Sequence, residues 1–341
     1  MMNIQIEHQH TIAETLLKIF STSTIPDPSQ EYTAIFTTSG DDQEEDDTSL
    51  ILPEKPQVAQ LKPAGVAKTV IACDASTVKV AECSTGSMWA LKGSIVLRSG
   101  SFRQAHIYGP FVYLLSSSNT GALIKTLYQA LGCHRPSTYV NGNIAPKIIA
   151  NLFERILQRN AVEYLDGGIM LLDGSLTAGP LDSPLAALEQ LVDRATARGL
   201  GVLAFSKSTR LMSMGVRITS LATGHKPPYL LKPMLDRCRE RYQMVLGEVY
   251  VARLAPSSYP FRVDVNTGGD DIQEIFGYLL SSDAIIYGYP ETLALAHQLA
   301  TFNRLDLIAL RASIQASIRN ITASDIDIRR GLFSPLDRYY P

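Results

Sequence analysis

Residues 66–82 read VAKTVIACDASTVKVAE. Threonine, valine and isoleucine are enriched in β-strands, and here they surround one acidic residue, Asp74. The segment therefore predicts a buried strand that runs through Asp74. Burying an unpaired carboxylate is costly, so this residue needs an explanation. Two explanations remain open: a turn or capping aspartate where the strand ends, or a functional acid whose charge a ligand balances.

A second acidic residue, Asp173, has the same context. It ends the apolar part of the segment GGIMLLDGSL, residues 167–176. Neighbouring strands lie about 4.8 Å apart, so two strands of one sheet can bring both carboxylates to one point. Ligands of α/β sheets gather at such strand ends. Adjacent carboxylates repel each other unless a cation neutralises them, and oxygen ligands suit Mg²⁺ or Mn²⁺. Asp74 and Asp173 together predict a divalent-metal site.

Two glutamates and a histidine are further candidates for this site. Glu154 lies in the helical segment 146–159, ahead of the Asp173 strand, and Glu163 lies in the connection between them. The helical periodicity does not decide which glutamate points towards Asp173. His297 lies on an otherwise apolar helix face, where it is either a core histidine with satisfied hydrogen bonds or a metal ligand.

Basic residues follow or occupy other predicted strands. Lys207 comes directly after the apolar strand GVLAFS, where its ammonium group either meets a phosphate or extends into solvent. Arg262 and Asp264 are two residues apart in the strand YPFRVDV and therefore lie on the same side of it. They form either a salt-bridged pair or an edge of the binding site.

The charge of the chain is unevenly distributed. The formal net charge is −2, but residues 41–55 hold seven acidic residues and one basic residue, and the remainder holds 30 basic and 26 acidic residues. Residues 198–241 contain nine Lys or Arg against two acidic residues. This stretch, which includes Arg210, either forms a basic face for a nucleic-acid backbone or covers solvated surfaces.

The order of the predicted elements indicates a mixed α/β protein, because strands alternate with helices. Amphipathic helices are predicted at residues 11–20 and 183–198, the second with Ser183 as its N-cap and Gly199 as its C-cap. No segment is apolar and long enough to span a membrane, and the four cysteines form no CxxC pair, which predicts a cytoplasmic protein. The predicted regions are an N-terminal helical segment (1–37), an acidic linker or loop (38–64), a central α/β domain (65–320) and a C-terminal tail (321–341).

Five segments resemble the NurA family of DNA nucleases in their order, their spacing and their local sequence, over residues 66–318. The segments are IACDAS, IMLLDGSL, VLAFSKST, YPFRVDV and GYPETLALAH. The resemblance implies a ribonuclease-H-like mixed sheet flanked by helices, with helical additions at both termini. It also implies a homodimer that depends on Mn²⁺ or Mg²⁺, cuts single-stranded DNA and degrades DNA ends 5′ to 3′. The implied partner is a HerA-type hexameric ATPase, and the implied process is double-strand break repair.

The resemblance also assigns roles to residues. The implied catalytic residues are Asp74, Glu154, Asp173, Asp264 and His297. All of them except Asp264 would be metal ligands, and Asp264 and His297 would lie at the edge of the site. The residues implied to hold DNA phosphates are Lys207, Arg210 and Arg262. The first motif departs from the family, since it reads Asp-Ala-Ser where Asp-Gly-Ser is common, and a positive φ at Ala75 would be strained.

Two other classes of function compete with a nuclease. A catalytically silent subunit that binds DNA and regulates a translocase would keep the fold, but it would have no reason to keep buried acids at Asp74, Asp173 and Asp264. An actin-like ATPase of related fold would need glycine-rich phosphate loops, and DASTVKVAE is poor in glycine. No GxxxxGK[ST] motif occurs, so any ATP-driven movement must come from a partner.

Overall fold

The computed structural model describes residues 13–21 and 57–317, except for 84–85, 136–139, 141, 180, 214, 234, 236–244 and 257. The tail at 321–341 and most of the acidic segment at 38–64 therefore lie outside the described residues. The division of the chain into four regions remains a prediction.

Nine strands form one mixed sheet, and two short hairpins lie beside it. The strands are β1 (Gln57–Gln60), β2 (Val70–Cys83), β3 (Gly86–Ser99), β4 (Phe102–Leu115), β5 (Gly168–Asp173), β6 (Leu200–Ser206), β7 (Met212–Ser213), β8 (Val216–Arg217), β9 (Tyr229–Lys232), β10 (Glu248–Arg253), β11 (Phe261–Asn266), β12 (Ile285–Ile286) and β13 (Tyr289–Pro290). The order across the sheet is β1-β9-β10-β11-β6-β5-β2-β3-β4, while β7–β8 and β12–β13 form the hairpins.

Helices cover both faces of this sheet. The described helices are α1 (residues 13–21), α2 (Thr120–Ala130), α3 (Ala145–Ala161), α4 (Leu185–Ala197), α5 (Ile272–Ser282), α6 (Glu291–Ala300) and α7 (Arg304–Ser317). No helix among the residues that the structure describes is long and apolar enough to cross a membrane.

The centre of the sheet has the ribonuclease-H-like arrangement. Strands β2, β3 and β4 pair antiparallel as a meander, and β5 and β6 continue from β2 in parallel. Helix α3 connects β4 to β5, and α4 connects β5 to β6. Parallel neighbours require such crossovers. Beyond β6, the strands β11, β10, β9 and β1 extend the sheet with antiparallel pairing. The predicted α/β, ribonuclease-H-like fold is confirmed.

The two faces of β2 show how the sheet buries both sides. Because side chains alternate along a strand, Ile71 and Cys73 enter the core under α1 to α4. Val70 and Ala72 enter the core on the opposite side, under α5 and α6. Helix α1 belongs to the first core, since the ring of Phe20 stacks on that of Phe111 at 5.2 Å between centroids. The predicted amphipathic helix therefore covers the sheet.

One predicted helix start is wrong. The sequence places Ser183 as the N-cap of α4, but the helix begins at Leu185 and Pro184 precedes it without a side-chain cap. The Ser183 hydroxyl is buried with no hydrogen-bond partner among the described residues. Pro184 fixes the entry of the chain, so the serine is one position too early to cap. Gly199, with φ +68°, ends the helix as predicted.

Candidate metal centre

The two acids that the sequence singled out meet where the parallel part of the sheet ends. Strand β2 pairs with β5 as far as Cys73 and Leu172, so the next residues, Asp74 and Asp173, leave the pairing side by side. The side chains of Asp74 and Asp173 are 8% and 18% exposed, so solvent still reaches them. Both carboxylates therefore stand at an open edge of a buried sheet.

His297 completes a group of three. Its Nδ1 lies 2.6 Å from Oδ2 of Asp74 and 3.9 Å from Oδ2 of Asp173. One ligand atom from each residue falls within 4.8 Å of the other two. Helix α6 is held over the strands by hydrogen bonds from Ser94 Oγ to Ala296 O (2.7 Å) and from Ser76 Oγ to Ala300 O (2.6 Å), which fix His297 above Asp74.

The Asp-Ala-Ser departure costs no strain. Tyr287 is the one non-glycine residue with positive φ in the described part of the chain, so Ala75 is in ordinary extended backbone. Its N–H donates to Oδ1 of Asp74 at 2.8 Å, which orients the carboxylate. The methyl group of Ala75 packs against the core under α3. An alanine is therefore compatible with this position.

The crowding of acids changes how the group holds protons. The hydrogen bond to Asp74 raises the pKa of His297 above its ordinary 6.5, against the opposing effect of partial burial. Burial, and then repulsion from Asp74, raise the pKa of Glu154 well above its ordinary value. Asp74 thus favours the protonated form of both neighbouring groups, His297 and Glu154.

The structure separates the two candidate glutamates. Glu154, on α3, is close enough to Asp74 and Asp173 for their charges to shift its pKa, and it accepts a hydrogen bond from Gln158 Nε2. Its carboxylate is not one of the three groups within 4.8 Å of one another. Glu163 forms ion pairs with Arg194 (3.4 Å) and Arg198 (3.2 Å) instead, which accounts for its charge.

The donor set fits a divalent cation. Two carboxylates and one imidazole converge on one point, and oxygen with nitrogen donors suits Mn²⁺, while Mg²⁺ prefers oxygen alone. Binding a cation through Nδ1 of His297 would require loss of the proton that it shares with Asp74. The residues present are therefore compatible with the metal that the sequence predicts.

A cationic cavity opens beside Asp173. Lys207 Nζ lies 2.6 Å from Oδ2 of Asp173, and Lys207, Arg210 and Arg262 line a cavity of ≈ 530 Å³ together with the backbone after β5 and β6. Lys207 and Arg210 are exposed. All three predicted phosphate-binding residues thus share one cavity with the predicted metal ligand Asp173.

Arg262 and Asp264 form a buried salt bridge, which is one of the two arrangements left open by the sequence. Arg262 Nε and Nη2 donate to the two oxygens of Asp264, each at 2.7 Å. Asp264 Oδ2 also accepts the Leu176 N–H at 3.0 Å, and its side chain is fully buried. Asp264 therefore does not join the metal-binding group, because both oxygens are engaged beneath the loop that follows Asp173.

The family of the chain follows from the match of a family model. The NurA domain model matches residues 69–302, which is more than half of the chain and includes every residue of the site. The chain belongs to the NurA family. It is therefore a DNA nuclease, and the reaction to be explained is hydrolysis of a DNA phosphodiester bond.

Solved structures show distant similarity to this NurA chain. The NurA nuclease from Sulfolobus solfataricus is 16% identical with a TM-score of 0.47, and the match covers 76% of this chain and 87% of that one. Another NurA structure is 11% identical with a TM-score of 0.40, covering 76% and 92%. Endonuclease V from Bacillus subtilis is 13% identical with a TM-score of 0.36, covering 76% and 86%. No curated protein matches the chain.

Tyr289 belongs to the site but was not selected as a site residue from the sequence. Burial, and then the Asp173 carboxylate, raise the pKa of its hydroxyl above the ordinary value. Lys207 Nζ lies 5.7 Å from the centre of its ring. Tyr289 belongs to the GYP part of a NurA-like segment, and that position is the one sequence signal that points to it. A tyrosine in a short apolar run otherwise resembles a core residue.

Proposed function

We propose that this NurA-family chain hydrolyses DNA phosphodiester bonds with a divalent cation, Mn²⁺ or Mg²⁺, at Asp74, Asp173 and His297. The observation that carries the proposal is the convergence of these three side chains within 4.8 Å, next to a cavity lined by Lys207. Negative charge gathers where a cation would bind, and positive charge lies where a phosphate would bind.

The proposed ligands supply different donor atoms. Asp74 and Asp173 supply carboxylate oxygens, and His297 supplies a nitrogen after losing its shared proton to solvent. Glu154 is proposed as a further ligand, directly or through water, since it lies close enough to both aspartates for their charges to add to the rise in pKa that its burial causes. A bound divalent cation supplies an activated water and stabilises the charge on the leaving oxygen. No side chain of this protein is needed as a nucleophile.

The basic residues are proposed to hold the DNA strand. Lys207 and Arg210, both exposed at the cavity, contact phosphate oxygens as charged hydrogen-bond donors. Arg262 reaches the same cavity, and no described residue accepts a hydrogen bond from its Nη1. Asp264 acts as a positioning residue, since it holds the guanidinium of Arg262 in place through two hydrogen bonds.

The proposed role in the cell is based on membership of the NurA family. We infer single-strand endonuclease and 5′–3′ exonuclease activity by a homodimer at DNA double-strand breaks, with a HerA-type hexameric ATPase as partner. The sequence supports the need for such a partner, because it contains no P-loop motif of its own.

The test is cleavage of a labelled single-stranded oligonucleotide by the purified chain with Mn²⁺, with Mg²⁺ or with EDTA. We expect cleavage with a metal, none with EDTA, and loss of cleavage in Asp74→Asn. Asp166→Asn is the matched control: its side chain is 86% exposed and pairs only at the surface, with Arg198, so its activity should equal that of the wild type.

Two outcomes would contradict the proposal. Full activity of a folded Asp74→Asn variant would remove this residue from the site. If the folded wild-type chain binds DNA but cleaves with no metal, alone or with a HerA-type ATPase, it would be the silent DNA-binding subunit.

A further inference from the structure

A small hairpin projects beside the candidate metal centre. Strands β12 and β13 pair Ile286 with Tyr289, so Tyr287 and Gly288 form a two-residue turn. Their φ angles are +52° and +90°. Positive φ at both central positions is the backbone of a type I′ turn, which favours Asn-Gly or Gly-Gly. An aromatic residue at the first position is therefore unexpected.

Tyr287 is in an unfavourable conformation that its own packing does not explain. It is the one non-glycine residue with positive φ in the part of the chain that the structure describes, and such outliers concentrate at functional sites. The side chain is 74% exposed, so burial of the ring does not compensate for the backbone strain. The fold would be served better by asparagine or glycine here.

A second exposed tyrosine adjoins the first. Tyr259 is 71% exposed, and its N–H donates to the carbonyl of Tyr287 at 3.3 Å. Gly288 allows this contact, because a Cβ there would lie 2.7 Å from the Tyr259 carbonyl oxygen. Ile286, 46% exposed, flanks the pair. Two tyrosines and an isoleucine thus form an exposed apolar surface on adjoining segments.

This surface is next to the proposed reaction site. Tyr287 is two residues from Tyr289, which places their Cα atoms within about 7 Å of each other. Lys207 Nζ lies 5.7 Å from the centre of the Tyr289 ring. Burial, and then the Asp173 carboxylate, raise the pKa of the Tyr289 hydroxyl. A strand whose phosphate lies at Lys207 would therefore carry its neighbouring nucleotides past the hairpin.

We propose that Tyr259 and Tyr287 form a stacking platform for the unpaired bases of single-stranded DNA beside the bond to be cleaved. This inference rests on the proposed function of the adjacent site. Aromatic side chains next to a basic cavity are the usual combination for binding single strands without sequence preference. In a duplex the bases are already paired and stacked, so the platform favours a single strand. The cationic cavity favours DNA over a protein partner as the occupant of this surface.

The test measures binding of fluorescent single-stranded and duplex oligonucleotides in EDTA, where no cleavage occurs. Tyr287→Ala and Tyr259→Ala should each weaken single-strand binding about 5–100-fold and leave duplex binding nearly unchanged. Tyr287→Phe keeps the ring and should retain single-strand affinity. Phe102→Ala, which removes a 58% exposed ring from the far edge strand β4, should change neither affinity.

A stability measurement distinguishes a variant that has lost affinity from one that has failed to fold. Tyr287→Asn suits the turn, so its melting temperature should rise by about 2 °C while single-strand affinity falls as in Tyr287→Ala. A 2-aminopurine base in the oligonucleotide should be quenched on binding to the wild type and less so on binding to these variants.

Two results would overturn the platform: unchanged single-strand binding in both alanine variants, or equal loss for single strands and duplexes. The former would leave a protein partner as the occupant of the surface. Both results are independent of cleavage. A wild type that cleaves with no metal added or present in any form would show it as loss of intact probe, whereas a wild type that does not cleave would remove the proposed function and leave the binding result unaffected.

Discussion

Two groups of charged side chains at this sheet differ in how their charges are balanced. In the first, Asp74, Asp173 and His297 converge at the open end of β2 and β5, with Lys207 as the nearest lasting cation. In the second, Arg262 and Asp264 on β11 neutralise each other through two hydrogen bonds in the interior. In the first group several acids share one open site, whereas in the second each charge has one buried partner.

The difference teaches how to separate a reactive acid from a structural one. Each of these aspartates lies on or at the end of an apolar strand, so their sequence contexts are alike. The balance of charge around each carboxylate distinguishes them. Burial raises the pKa of both Glu154 and Asp264, but the charges of Asp74 and Asp173 add to the rise at Glu154, whereas its matched partner Arg262 opposes the rise at Asp264.

The largest effect is expected when the matched pair is broken. Asp264→Asn should lower the free energy of unfolding by about 3–5 kcal/mol, because it leaves the buried guanidinium of Arg262 without its counter-charge. Denaturant unfolding measures this directly. The double variant Arg262→Met/Asp264→Leu should recover much of the stability. A single variant as stable as the wild type would mean that the pair is not buried in the way described.

The next largest effect is expected in the first group, at Asp173. Asp173→Asn should reduce cleavage more than about 100-fold, since even residues that only support metal ligands account for 10–100-fold. Its stability without metal should change little, because the change removes both the repulsion between Asp173 and Asp74 and the partly exposed ion pair of Asp173 with Lys207. The measurements are cleavage rate and melting temperature on the same preparation. Lost stability with retained cleavage would reverse the roles assigned to the two groups.

A smaller effect is expected from the cation of the first group. Lys207→Ala should weaken cleavage about 10–100-fold, as expected for loss of a hydrogen bond between charged groups. The salt dependence of DNA affinity should also become shallower by about one phosphate contact. If Lys207 serves only to neutralise Asp173, cleavage at saturating metal should instead match the wild type.

The smallest effect is a change in proton binding. The pKa of His297 should lie above 6.5 in the metal-free protein and fall in Asp74→Asn, because the hydrogen bond to Asp74 is its largest cause. A pKa raised by folding stabilises the fold at low pH, and that contribution is lost as pH rises through the folded-state pKa. A ¹H–¹⁵N NMR titration of the imidazole measures it. An identical His297 pKa in both proteins would contradict the 2.6 Å contact.

The sequence predicted the strands of Asp74 and Asp173 and their meeting, because apolar runs that end in acids have a definite place in a parallel sheet. It could not choose between Glu154 and Glu163, since that depends on how α3 rotates against the sheet and on the ion pairs of Arg194 and Arg198. The sequence also left the role of Arg262 open. Residues two apart on a strand lie on the same side of it whether they bind DNA or each other.

Other features depend on tertiary contacts that leave no local pattern. The position of His297 relies on hydrogen bonds from Ser94 and Ser76 to α6, which lies more than 200 residues away in sequence. Tyr289 resembles a core tyrosine until its hairpin is placed beside Lys207. The antiparallel extension from β11 to β1 likewise pairs the distant segments Gln57–Gln60 and Tyr229–Lys232.

The most direct test of the central claim is a calorimetric titration of the purified chain with Mn²⁺, with no DNA present. The wild type should bind, and Asp74→Asn, Asp173→Asn and His297→Ala should each lose at least about 10-fold in affinity, while the folded double variant Arg262→Met/Asp264→Leu should bind as the wild type does. If the Asp74 and Asp173 variants bind Mn²⁺ as tightly as the wild type, these acids do not form the metal centre.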